Sequence, residues 1–178
     1  MANIQGALPR DANRVPIQNG LLVTKSLTLS ANNTTANVPI FTVTGSVEII
    51  GLYGVVTTAL SSNITAAYLQ INDQTATPDI SLASGTTLSS FTVGSLVART
   101  SVAGVAVVGA NASAGRVTDP VAATAPSLLM PFGITQKDGG ILTQIEFVYS
   151  TTNTPASGVI KWYARWFPLS DDGNIASV

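Results

Sequence analysis

Two stretches, ILTQIEFVYS (Ile141–Ser150) and VIKWYARWFPL (Val159–Leu169), decide the fold class of this chain. Both are dense in β-branched and aromatic residues, which suit a pleated, half-buried surface. In the second, period-two alternation puts Ile160, Trp162, Ala164 and Trp166 on one face, with Lys161, Tyr163, Arg165 and Phe167 on the other. Turn formers bound them, Asp138-Gly139-Gly140 before the first and Thr152–Gly158 between the two, so the pair reads as a β-hairpin.

The same grammar extends outward. Val47–Thr58 is apolar on both faces, as a central strand requires, and Gly51 and Gly54 mark bulges or close packing. Leu21, Val23, Leu27 and Leu29 share one face of an earlier strand, with Lys25 the exception. Val38–Val43, Ile64–Asn72, short pieces of Ile80–Val108, and Leu128–Thr135 supply further strands. Asn32–Thr35, Asp73–Pro78, Ser84-Gly85 and Gly94-Ser95 punctuate them, and Asn111–Pro126 predicts a long surface loop. There is no helical stripe and no internal repeat. The expectation is an all-β fold: one antiparallel β-sandwich of jelly-roll type over residues 21–170. Residues 1–20 form an extended N-terminal docking arm and residues 171–178 a short polar tail.

Composition narrows the chemistry. Apolar residues make up 46% of the 178 and charged residues only 10%, which argues for a folded chain rather than a disordered one. A mean hydropathy of +0.38 with so little charge predicts apolar surface covered by copies of itself or by a larger assembly. The eight basic residues are scattered and the net charge is −1, so no basic stripe for nucleic acid is present. The longest weakly polar run, Val102–Ala110, is too short for a membrane span, and residues 1–16 lack the apolar core of a signal peptide. Synthesis in the cytoplasm is therefore expected. Zero histidine and zero cysteine remove disulfides, most zinc and iron sites, and the Ser-His-Asp and Cys-His nucleophile systems. The reading is that of a non-enzyme with no metal and no cofactor.

The remaining candidates are few. Trp162 and Trp166, flanking Ala164, either form a stacking platform for a glycan, line an oligomer interface, or fill the core, and the core is favoured because buried aromatics dominate small interiors. Glu48 and Glu146, the only two glutamates, lie in different strands and read most simply as outward-facing residues rather than a glycosidase pair. Asp171-Asp172-Gly173-Asn174 and Asp73-Gln74 lack the further ligands of a calcium loop and read as turns. Gly104–Gly109 has phosphate-loop glycine spacing without the lysine that must follow.

The arm carries one resemblance. Leu8-Pro9-Arg10-Asp11-Ala12-Asn13-Arg14-Val15-Pro16 resembles a short stretch at the start of many small structural proteins of tailed bacteriophages, of the head-decoration, head-fibre or tail-associated kind. It covers nine of the 178 residues. The Thr/Ser/Ala-rich β-structure is similar to phage surface proteins in style only. The resemblance implies a capsid decoration or cement protein on the virion surface, bound to the major capsid protein and to copies of itself as a homotrimer. The arm's Leu8, Pro9, Arg10, Asp11, Asn13, Arg14, Val15 and Pro16 would then be partner-binding. Proline-restricted chain loses less entropy on docking, and Arg10 and Arg14 suit bidentate contacts with carboxylates of an acidic coat surface. The alternative is a tail, fibre or receptor-binding module that recognises host glycans through exposed Trp162 and Trp166.

Overall fold

A computed structural model describes residues 20–74, 79–99, 108–110, 131–137 and 140–178. The arm, the Asn111–Pro126 loop and most of the Val102–Ala110 run lie outside these residues, as do Asp138 and Gly139. The described chain is all-β and forms two antiparallel sheets packed face to face. The six-stranded sheet runs β1 (Leu21–Thr28), β10 (Val159–Pro168), β3 (Ser46–Thr58), β6 (Leu96–Ala98) and β7 (Val108–Ala110). Its sixth strand, β8 (Phe132–Thr135), pairs with the start of β3, while β6 takes a later stretch of the same strand. The five-stranded sheet runs β11 (Asn174–Ser177), β2 (Thr35–Thr44), β9 (Thr143–Thr151), β4 (Ile64–Asn72) and β5 (Ile80–Thr86).

The strands expected over Ile141–Ser150 and Val159–Leu169 are present as β9 and β10, but they do not form a hairpin. β9 pairs with β2 and β4, whereas β10 pairs with β1 and β3 in the other sheet. The connection Thr152–Gly158 therefore crosses the sandwich, about 10 Å thick, instead of turning back within one sheet. Each strand carries an apolar face too large to leave wet, and opposing them buries both. Phe147 of β9 meets Trp162 of β10 across the interior, ring centroids 5.0 Å apart.

This interface is the core. Ile40, Phe41, Val43, Ile145, Phe147 and Tyr149 come from the five-stranded sheet; Val47, Ile49, Leu52, Ile160, Trp162 and Ala164 come from the six-stranded one. Tyr149 keeps its hydroxyl satisfied by accepting from the Ser30 and Ala31 amides, which pins the chain after β1. Gly54 marks close packing, as its sequence position suggested. A Cβ there would sit 2.6 Å from Ile160 Cγ2 and 3.1 Å from Trp162 Cε3.

The two lateral sides of the sandwich differ. On one, β1 and β11 approach each other, and Lys25 Nζ donates to the Val178 carbonyl to close the gap. On the other lie β5 at the edge of one sheet and β6 and β8 beyond β3 in the other.

Candidate interaction surfaces

The indoles are core residues. Trp162 is fully buried and Trp166 is 4% exposed, so neither offers a face to a sugar ring. Alternation on β10 points them at the five-stranded sheet, and Gly54 and Ala164 leave the room they occupy. The glycan platform drawn on these two residues is thus corrected: the apolar payload of two indoles is spent on the interior. Trp162 Nε1 has no hydrogen-bond partner among the described residues.

The carboxylates do not assemble a glycosidase pair. Glu48 faces outward from β3 and Glu146 outward from β9, on opposite outer faces of the sandwich. Glu146 departs from expectation in another way, because it is only 3% exposed. Its Oε2 accepts from Gln70 Nε2 at 2.7 Å and its Oε1 from Asn72 Nδ2 at 3.0 Å. The same Gln70 amide donates to Asp79 Oδ2 at 2.8 Å, so one NH₂ group bridges two carboxylates. Burial, then the charges of Glu146 and Asp73, push the Asp79 carboxyl above its ordinary value, and the Gln70 bond opposes them. The Asp171–Gly173 segment is a turn: Ser170 Oγ bonds Asp172 Oδ1 at 2.6 Å, and the Gly173 amide returns to the Ser170 carbonyl. Among the described residues no group of acidic side chains has the arrangement of a metal site.

Two surfaces stand out instead. The first is the outer face of the six-stranded sheet. Tyr53 and Tyr163, paired across β3 and β10, stack with centroids 5.1 Å apart and planes 11° apart. Lys161 Nζ lies 5.5 Å from the Tyr163 ring, and Arg165 and Leu22 follow along the same face. Gly20, at φ +76°, joins this sheet to the arm. A Cβ on Gly20 would come within 3.0 Å of the Trp166 carbonyl and 3.1 Å of Ile50 Cδ1, so Gly20 sits closely against β10.

The second is a slot of about 280 Å³ on the side of the sandwich away from β1 and β11. Ile71, Ile80, Leu82, Phe132 and Ile134 make it apolar, and Asp73 and Lys137, 3.3 Å apart, also line it. Its walls belong to β5 and β8, which among the described residues each have a paired strand on one side only. Arg99, just after β6, ties these walls together. Its Nε donates to the Leu82 carbonyl at 2.9 Å and its guanidinium lies 4.1 Å from the Phe132 ring centroid. Arg99 is 9% exposed; burial lowers its pKa, and among the described residues no carboxylate is within ion-pair distance of it.

Neither Arg99 nor the Gln70 bridge was singled out in the sequence. Their partners lie 17 and 76 residues away, and no local spacing announces them. Leu8, Pro9, Arg10, Asp11, Asn13, Arg14, Val15 and Pro16 all lie outside the described residues. No protein-family model, curated protein or solved structure matches the chain.

Proposed function

We propose that this protein is a non-enzymatic structural component of a tailed-phage virion, a decoration or cement subunit on the outside of the head. The observation that carries the reading is the arm: Leu8–Pro16 resembles the opening of such proteins, and it is joined through Gly20 to a rigid sandwich. The alternation of β1 to β4 between the sheets suits jelly-roll winding, and the Tyr53–Tyr163 face beside Lys161 and Arg165 suits docking on a protein lattice. Tyrosine and arginine supply large contact areas at interfaces. The mechanism is adhesive. Many modest contacts, multiplied over a lattice, hold the coat against internal DNA pressure.

The test is binding to purified heads. Removing residues 1–20 is expected to abolish binding while the domain stays folded, and undiminished binding overturns the arm's role. Copy number separates decoration from a fibre role: hundreds per virion are expected, and a handful would move the protein to a fibre or tail tip. The glycan reading is left without its indole platform, since both indoles are buried.

A further inference from the structure

We infer that the slot between β5 and β8 receives the N-terminal arm of a second copy of this chain, so that copies are linked head to tail. The inference rests on the reading of residues 1–20 as a docking arm, and it names what that arm docks into.

The slot asks for a particular occupant. Its volume of about 280 Å³ falls at the lower limit of small-molecule pockets, roughly 300–1,000 Å³, and suits a side chain of an extended segment. Its walls are strands with a side left unpaired among the described residues, the situation in which extended chain adds to a sheet. Chemically it offers an apolar floor, a buried guanidinium packed on two of its lining residues, and acidic groups nearby in Asp79 and Asp73. A complementary segment must supply an apolar side chain, a carboxylate and a cation close together. Leu8, Arg10 and Asp11 supply all three within four residues. Asp11 is the carboxylate for Arg99, a pairing that offsets the cost of a desolvated guanidinium. Arg10 is the cation for Asp79, whose charge the neighbouring Glu146 and Asp73 disfavour. Pro9 keeps the segment extended and lowers the entropy lost on docking.

The occupant is the arm of a second copy rather than the domain's own arm. Gly20, the first described residue, precedes β1 at the closed lateral side where β1 meets β11; the slot is on the opposite side, beyond β4 and β3. A donor on one side and an acceptor on the other make a heterologous interface, which closes into a ring when the rotation permits. The nineteen residues before Gly20 reach roughly 60 Å when extended, enough to cross to a neighbour. An arm and slot joined this way tie decoration subunits to one another, so removing the arm costs the avidity with which linked tyrosine faces hold the coat.

The chain has no cysteine, so engineered cross-links report without background. The full-length double variant Leu8→Cys/Ile80→Cys uses a slot residue that is 58% exposed and leaves the core untouched. Mild oxidation is expected to give a ladder of disulfide-linked oligomers on a non-reducing gel. Leu8→Cys/Val93→Cys, with an equally exposed residue outside the slot, is expected to remain monomeric. A monomer with an internal disulfide means the arm folds back on its own domain and overturns the inference. So does a ladder no stronger than that of the Val93 control, or no cross-link at all. Failure of the slot with head binding still arm-dependent removes this inference alone; arm-independent head binding removes the functional reading beneath it.

Discussion

Gly54 is where the six-stranded sheet gives way to an indole, and the permissible change there is small. A methyl group at that position would meet Ile160 and the Trp162 ring inside ordinary contact distance. Gly54→Ala is expected to cost about 1–3 kcal/mol through overpacking. Gly85→Ala is the matched control: its Cβ would meet Ala66 backbone at no less than 3.4 Å, and its φ is not positive. It is expected to be neutral or to stabilise by up to about 1 kcal/mol, because it restricts the unfolded chain. Urea midpoints of the two variants check the contrast. Asp79 gives a pH-dependent prediction. Its folded pKa is raised above the ordinary 3.8, so its contribution to stability is full below that value and is lost as pH rises through the folded pKa. At neutral pH the ionised carboxylate therefore opposes folding. Asp79→Asn, which still accepts from Gln70, is expected to raise the thermal midpoint at pH 7 by no more than about 2 °C, given solvent screening. The gain should fade as pH falls through the raised folded pKa and wild-type Asp79 takes up its proton. A gain that persists unchanged at low pH would show that charge is not its cause.

At the level of elements, Arg99 is the tie across the open side of the sandwich. It occupies the Leu82 carbonyl of β5 and covers Phe132 of β8 while belonging to the chain after β6. Arg99→Met keeps most of the apolar stem but leaves that carbonyl unpaired, and is expected to cost about 1–3 kcal/mol. Hydrogen exchange should quicken in β5 and β8 and stay unchanged in β9 and β10, whose partners lie on both sides. Uniform acceleration would assign Arg99 a global role instead. Why such a tie escaped the sequence is a matter of range. Strand existence is local, so Val47–Thr58 and Val159–Leu169 were legible as β3 and β10 from composition and alternation alone. Partner choice is not local. β9 and β10 are two apolar strands with a seven-residue turn signal between them, which fits a hairpin as well as a crossing between sheets. Only the need to oppose Phe147 and Trp162 selects the crossing. Glu146 shows the same limit at a single position. Alternation predicted its outward direction, but its burial depends on Gln70 and Asn72 from a strand 74 or more residues away.

For the whole molecule, the pairing scheme ties both ends of the chain into one cooperative unit. β1 is hydrogen-bonded to β10, and β2 to β9 and β11, so each early strand waits on a strand from the last quarter. The core repeats this dependence: Leu27, Ile40 and Phe41 pack in one cluster with Phe147, Ile160, Trp162 and Ile175. Folding dominated by such distant pairings belongs to the millisecond-to-second class of β-sandwiches rather than to the microsecond class of helical bundles. It also makes the two termini unequal under truncation. Removing residues 159–178 takes away the strand between β1 and β3 together with β11, exposing the Phe147 side of the core. That chain is expected to lose cooperative unfolding altogether. Removing residues 1–19 takes none of the core cluster or strand pairings formed among the described residues, so the thermal midpoint is expected to move by no more than about 2 °C at a concentration where the variant is monomeric. Thermal unfolding of the two truncations, followed by tryptophan fluorescence, checks both expectations, since Trp162 and Trp166 report the interior directly. A large loss on removing residues 1–19 would make the arm part of the fold; a small one leaves it free to act between molecules.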